Sequence, residues 1–286
     1  MKSFKSIFFG AAVLFAANAT AQVIDYNKTP GPEEDGVFIK HHVFENRVIP
    51  YVHIREADVM WTRRYWRKMD LREKRNHPLY FPTSSELKNR QSLTNLLFSA
   101  VKNEGSITAY DDDEFKRVLT PQEIQNRLFK VDTLSDIDID TGLPFDRIDT
   151  VKVDAKDILL YLIKEDWVFD KARSVMEVRI LGLCPVVDKV DELGSPYQEK
   201  LFWIWYPEAR EILANAEVFN SQNSAERRSF EEIFQTRQFS SFIMKEENVY
   251  DRSISEYKKF SPMDQLLEAA RIKEDIRNFE SDLWEY

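Results

Sequence analysis

The chain has 286 residues, with 40 Lys and Arg against 49 Asp and Glu, so its formal net charge is −9. This acidic balance argues against a general nucleic-acid-binding protein, because contacts with phosphate groups require a basic surface. A single cysteine excludes an internal disulfide, and only seven glycines argue against glycine-rich cofactor loops.

Residues 1–21 have the pattern of a secretory signal peptide. Lys2 and Lys5 precede an apolar run over residues 7–17, and Ala19-Thr20-Ala21 fits a small-residue cleavage site. The apolar run is shorter than the roughly 20 residues that span a bilayer, and no cysteine follows it for lipid attachment. We therefore expect cleavage after Ala21, a mature chain of net charge −11 without a transmembrane segment, and export to the periplasm.

The mature chain divides by composition into an arm and a folded region. Residues 22–36 contain two prolines, two glycines and an acidic cluster, which predicts a flexible arm. Residues 37–286 predict an α+β region of mixed helices and antiparallel hairpins. A weak similarity between residues 71–81 and 209–219 leaves open two related halves, residues 37–130 and 155–286.

Residues 58–82 form the most unusual stretch of the sequence. Trp61, Tyr65 and Met69 recur at every fourth position, which predicts an amphipathic helix over residues 59–73 with an aromatic face for the core. Seven Lys and Arg against two Asp and Glu lie between positions 61 and 75. The opposite face of this helix is predicted to bind an acidic partner surface, and it consists of Arg63, Arg64, Arg67, Lys68 and Arg72. A merely solvated basic face is the alternative.

The remaining elements follow from local patterns. Thr120, Pro121 and Glu123 predict a helix start with a capping box. The alternation over residues 175–187 and the aromatic run over residues 200–206 predict two strands joined as a hairpin. Further helices are predicted over residues 87–102, 156–165, 207–216, 230–237 and 262–284. Short strands are predicted over 107–110 and 240–244, strands or an extended segment over 37–55, and a loop or hairpin over 131–154.

A search for catalytic or metal-binding patterns gives no candidate. Asp136, Asp138 and Asp140 have the spacing of a calcium loop, but the sixth position is Thr141 and the twelfth is Arg147, so the ligand set is incomplete. Cys184 lies within an apolar strand and is predicted to be a buried, unreactive thiol. We therefore predict no catalytic residue, no cofactor and no metal site, and a protein that is not an enzyme.

Four segments together resemble one protein family. They are residues 54–61 (IREADVMW), 65–82 (YWRKMDLREKRNHPLYFP), 239–258 (FSSFIMKEENVYDRSISEYK) and 266–286 (LLEAARIKEDIRNFESDLWEY). These segments resemble the gliding-motility GldN / PorN family of Bacteroidetes. The resemblance implies a structural component of the type IX secretion and gliding machinery.

The resemblance also implies partners and a location. The partners are a GldK / PorK-like outer-membrane lipoprotein, with which such proteins build a periplasmic ring, and a GldM / PorM-like inner-membrane motor protein. The protein would self-associate in that ring and lie at the outer membrane through the lipoprotein. Charge reversal at Arg64 and Arg67 is predicted to block assembly while leaving the monomer folded.

Two other functions remain open from the sequence. In a periplasmic glycan- or peptide-binding module or hydrolase, Trp203, Trp205 and Tyr206 would form a stacking platform. A general chaperone would instead expose apolar grooves.

Overall fold

Three long antiparallel strands form the centre of the fold in the computed structural model. They are β1 (Val59–Asp70), β5 (Ile158–Asp170) and β6 (Val175–Val190), and β5 lies between the other two. The structure describes residues 46–83, 90–104, 106–137, 144–190, 196–220, 223, 225–259 and 261–283. The signal peptide, the arm and the calcium-loop positions Asp138 and Asp140 lie outside these residues.

Shorter strands complete a seven-stranded sheet in the order β11–β1–β5–β6–β8–β2, with β7 also paired to β6. Their bounds are β2 (Ala109–Tyr110), β7 (Pro196–Lys200), β8 (Trp203–Trp205) and β11 (Phe242–Glu246). Two further antiparallel pairs lie outside the sheet, β3 (Phe129–Ile137) with β4 (Pro144–Lys152), and β9 (Glu217–Val218) with β10 (Arg228–Ser229). The predicted antiparallel pairing of residues 175–187 with 200–206 is confirmed in β6 and β8, and β7, within the predicted connection, also pairs with β6. The loop or hairpin predicted over 131–154 is the hairpin β3–β4.

Helices cover one face of this sheet. They are α1 (His77–Tyr80), α2 (Leu93–Ser99), α3 (Pro121–Leu128), α4 (Tyr206–Ala214), α5 (Phe230–Gln235), α6 (Ile254–Tyr257) and α7 (Pro262–Asp282). A π-helical turn over Ala100–Glu104 follows α2. The predicted start of α3 is confirmed, because the Thr120 side chain and the Glu123 side chain cap each other's backbone. The α+β class is likewise confirmed.

Two predicted helices are strands, and this is the main correction to the fold. The stretch predicted as a helix over residues 59–73 contains β1, and the stretch over 156–165 lies mostly in β5. The apolar run Ile158–Ile163 lies in the centre of the sheet and packs on both faces. It therefore lacks the alternation of apolar and polar residues by which a strand is usually recognised in a sequence.

Other boundaries differ by a few residues, and residues 46–55 contain no regular strand. Helix α2 begins at Leu93, where Ser92 accepts a hydrogen bond from the Asn95 backbone, and residues 84–89 are not described. The aromatic run over residues 200–206 divides between β7, β8 and the first residue of α4. Strands β1 and β2 precede residue 130 and the other five follow residue 155, so one sheet draws on both proposed halves. Their duplication stays a prediction.

The buried apolar residues form separate clusters. The largest joins Met69, Tyr161 and Leu183 of the sheet with residues of α2, α3, α4 and α5. A second joins Tyr65 and Ile243 of the sheet with Ile272 and Ile276 of α7. Both clusters lie on the same face of β1, and charged side chains separate them. Among the described residues, no helix has the length and apolar character required to cross a membrane.

Candidate functional site

The five predicted partner-binding residues lie on or just beyond β1, and they do not form one surface. Successive side chains of a strand point to opposite faces of the sheet, and β1 keeps a continuous register with β5 from Trp61 to Asp70. Arg63 and Arg67 therefore lie on the face covered by α7, whereas Arg64 and Lys68 lie on the other face. The predicted single basic face is wrong in this respect.

Arg63 and Arg64 form ion pairs at the sheet surface. The Arg64 guanidinium donates two hydrogen bonds to Asp166, at 2.6 Å from Nε and 2.8 Å from Nη2. This bidentate contact is the main cause of a raised pKa at Arg64. Arg63 lies 3.5 Å from Glu246 and is the more exposed of the two. Partly exposed pairs of this kind contribute little to stability.

Arg67 is almost completely buried and is not part of an exposed basic face. Only 7% of the residue is exposed, and its Nε lies 3.2 Å from the carboxylate of Glu165 and 2.9 Å from the Ser241 hydroxyl. Burial lowers the pKa of Arg67, and the nearby carboxylate of Glu165 opposes this shift. The predicted charge reversal at Arg67 would place a second carboxylate against Glu165, so we expect the Arg67→Glu change to destabilise the fold.

Glu165 is the centre of a buried ionic cluster that the sequence did not reveal. Its side chain is completely buried and accepts hydrogen bonds from Arg237, at 3.1 Å, and from the Trp167 indole, at 3.2 Å. With Arg67, these residues form the group called here the Glu165 cluster. The Glu165 cluster contains two guanidinium groups and one carboxylate, so its net charge is positive. It lies between the two apolar clusters.

Lys68 and Arg72 also have partners within the chain. Lys68 Nζ donates a hydrogen bond of 2.7 Å to the Gln198 side chain, and burial lowers the pKa of Lys68. Arg72 pairs with Asp70 at 2.6 Å and remains largely exposed; its hydrogen bond lowers the pKa of Asp70. Arg63 and Arg72 are therefore the members of the set most available to a partner.

Acidic residues of this chain that could complement a basic surface are partly used internally. Asp113 accepts a hydrogen bond of 2.8 Å from the Trp66 indole and lies 3.3 Å from the buried ammonium of Lys164. Asp111 forms salt bridges with Arg117 and Arg127. The acidic side chains over residues 132–149 are not described.

The aromatic platform of the alternative function is not available for stacking. Strand β8 lies between β6 and β2, and Trp203 and Tyr206 are 2% and 1% exposed. Phe115 packs against Trp205 with ring centroids 4.8 Å apart. These side chains are therefore part of the packed interior.

Cys184 is buried as predicted, and its pKa is raised to about 12 by that burial. At neutral pH the thiol is protonated and a poor nucleophile. Within the described residues, no three His, Cys, Asp or Glu side chains gather in an arrangement that would hold a metal ion.

Comparison with known proteins gives one family. The family model described as gliding motility associated protein GldN matches residues 54–285, which include every element from β1 to α7. A search of curated proteins found no significant match. The matched residues include all five basic positions and the whole Glu165 cluster.

Proposed function

Because the chain belongs to the GldN family of gliding motility associated proteins, we propose that it is a non-enzymatic structural component of the type IX secretion and gliding machinery. The family match over residues 54–285 is the observation that carries this proposal. GldN is not a known enzyme family, and the proposed role is assembly rather than chemistry.

The protein is exported by its N-terminal signal peptide and works in the periplasm. There it assembles with a GldK / PorK-like outer-membrane lipoprotein into a ring and contacts a GldM / PorM-like inner-membrane motor protein. A ring requires the same two complementary surfaces on each repeated unit. Arg63, on the face covered by α7, contributes to one such surface. Arg64 and Lys68 on the opposite face, with Arg72 close enough to Lys68 to affect its charge, are candidates for another.

Deletion of the gene in its host tests the proposed role. The deletion should abolish both release of proteins with C-terminal sorting domains and, in a gliding host, surface movement. Expression of the wild-type chain from a second site should restore both. Normal secretion in the deletion strain would contradict the proposed function.

Co-expression with the lipoprotein tests the proposed assembly directly. Size-exclusion chromatography with light scattering should show a complex containing many copies of both chains. Its size should fall as salt concentration rises, because salt screens contacts between exposed charges. Separate elution of the two proteins at low salt would contradict the ring.

A further inference from the structure

A cavity lies between α7 and the strand face that carries the Glu165 cluster. Its volume is about 650 Å³, and its walls include Trp167, Phe239 and Ile276. Pockets that bind ligands commonly have volumes of roughly 300–1,000 Å³ and combine apolar walls with a few polar groups. This space, called here the α7 cavity, has that composition.

The α7 cavity has more cations than carboxylates. Five basic side chains line it, and they are Arg67, Arg75, Arg237, Lys273 and Arg277. Glu165 pairs with Arg67 and Arg237, and Glu274 pairs with Arg277. Arg75 and Lys273 form no salt bridge with any residue that the structure describes, and both are exposed. Two cations are therefore available to an incoming anion, and Glu280 is the one further carboxylate on the wall.

The inner wall of the α7 cavity is rigidly arranged. The guanidinium of Arg237 lies over Trp167 at 5.6 Å and over Phe239 at 5.4 Å, while its nitrogens donate to Glu165. Stacking between rings and a fixed carboxylate holds the planar group in one orientation. Because the Arg237 side chain is already held in place, a ligand that contacts this wall would lose little binding free energy to ordering that side chain.

An exposed apolar ridge leads along α7 into the cavity. Met263, Leu266 and Leu267 are 63%, 49% and 61% exposed, whereas Ile272 and Ile276 on the opposite flank are buried. Ala270 follows Leu266 and Leu267 by four and three residues, so it continues the ridge on the same helix face, and it lines the cavity.

We propose that the α7 cavity and this ridge bind an acidic segment of a partner protein. Carboxylates of the segment pair with Arg75 and Lys273 at the cavity mouth, and its apolar side chains cover Met263, Leu266 and Leu267. A small inorganic anion would satisfy the charges but leave the ridge in water. Charge and exposure define this site, and it does not depend on the family assignment.

Fluorescence anisotropy with the purified full chain tests the site. The probe is a fluorescein-labelled peptide EEEGLL, compared with QQQGLL and EEEGSS. We expect EEEGLL to bind, and each of the other two to bind at least tenfold more weakly. Equal binding of EEEGLL and QQQGLL would overturn the proposal, as would the absence of EEEGLL binding at millimolar concentration.

Variants then place the peptide on the protein. Arg75→Glu with Lys273→Glu should weaken EEEGLL binding at least tenfold, and Leu266→Ser with Leu267→Ser should do so about fivefold. All four side chains are exposed, so the variants should fold. Lys74→Glu, one residue outside the cavity wall, is the matched control for Arg75→Glu alone; it should bind within twofold of wild type, whereas Arg75→Glu should bind more weakly. Equal weakening by Lys74→Glu would indicate general charge attraction and overturn the proposed location.

Competition separates the peptide from other anions. Unlabelled EEEGLL should displace the probe, whereas inorganic phosphate at equal ionic strength should not. Vesicles of phosphatidylglycerol and phosphatidylcholine should bind the wild-type chain and the Arg75→Glu, Lys273→Glu variant equally. The proposal of a protein partner would be overturned if phosphate displaced the probe as effectively as the peptide does. It would also be overturned if this variant lost vesicle binding.

Discussion

Arg237 combines an unfavourable backbone with a favourable side-chain position. Helix α5 ends with the Arg237 amide donating to Phe234 and the Gln238 amide donating to Ile233, the paired hydrogen bonds of a Schellman motif. The φ angle of Arg237 is 54°, in the left-handed region where this motif usually has glycine. Its guanidinium, placed against Glu165, offsets this cost.

Substitutions at Arg237 separate these two effects. Arg237→Ala should lower the free energy of unfolding by about 2 kcal/mol, because Glu165 keeps only one guanidinium in a buried position. Arg237→Gly should be about 1 kcal/mol more stable than Arg237→Ala, because glycine accepts a left-handed φ without strain. Urea unfolding measures both differences.

The neighbouring Thr236 provides the control, because its φ of −84° is ordinary. There the order should reverse, with Thr236→Gly less stable than Thr236→Ala. Equal stability of the two Arg237 variants would refute the strain argument.

Asp113 should make stability depend on pH in the acid range. Burial acts to raise its pKa, but the hydrogen bond from Trp66 and the charge of Lys164 outweigh burial, so the pKa of Asp113 lies below its ordinary value. A carboxyl group whose pKa is lower in the folded state stabilises the fold at pH values above its pKa in the unfolded chain, which is about 3.9. This stabilisation is lost as the pH falls through the pKa of the folded state.

Asp113→Asn should therefore cost about 1–2 kcal/mol at pH 7, less than for a fully buried pair because Asp113 is partly exposed. The difference from wild type should be constant from pH 5 to 8 and shrink below about pH 4. Urea unfolding across this range measures it. Asp112→Asn changes the adjacent, exposed position, and its effect on stability should not depend on pH in this way. If the stability difference between wild type and Asp113→Asn stays constant down to pH 2, Asp113 is not the source of the pH dependence.

At the scale of elements, β1 shows why a hydrophobic period can mislead. Trp61, Tyr65 and Met69 are four positions apart, and positions four apart share a face in a strand as well as in a helix. A strand and a helix differ in where they place the residues between these positions. In a strand, Arg63 and Arg67 lie on the same face as Trp61, Tyr65 and Met69. Arg67 is buried beside Tyr65 and Met69, which only an ionic partner permits, and that partner lies 98 positions away at Glu165.

Local signals were more informative where no distant contact is required. The capping box of α3 and the hairpin β6–β7 could be predicted because their determinants are a few residues apart. The Glu165 cluster could not, since Glu165 and Arg237 come together only when β5 packs beside the end of α5. The charged residues Lys164, Glu165 and Asp166, which follow the apolar run of β5, were the available signal.

Helix α7 should tolerate change on one face and not on the other. Ile272 is 2% exposed beside Tyr65 and Ile243, so Ile272→Ala should cost about 2–4 kcal/mol. Leu267 is 61% exposed, so Leu267→Ala should change stability by less than about 0.5 kcal/mol. Thermal and urea unfolding compare the two. Equal losses would mean that the exposed ridge is covered by packing within the chain.

At the scale of the whole molecule, the sheet separates the basic residues of β1 between its two faces. The five basic residues that the sequence predicted to form one surface do not do so. Asp166, Glu165 and Asp70 form ion pairs with three of them, Arg64, Arg67 and Arg72. Arg63 and Arg72, paired with Glu246 and Asp70, are nevertheless the most exposed of the five, so they are the residues most available to the proposed assembly. Complementary charge of this kind affects association rate and register more than total affinity.

Charge reversal at these two arginines tests their role in the proposed assembly. Arg63→Glu with Arg72→Glu should leave the monomer folded, because both side chains are exposed, and should strongly reduce co-purification with the lipoprotein and secretion in the host. Lys156→Glu with Lys171→Glu gives the same change in net charge at other exposed positions and should assemble normally. Circular dichroism and thermal melting confirm folding of both variants. If the arginine variant co-purifies at the wild-type level and supports normal secretion, Arg63 and Arg72 do not take part in the assembly.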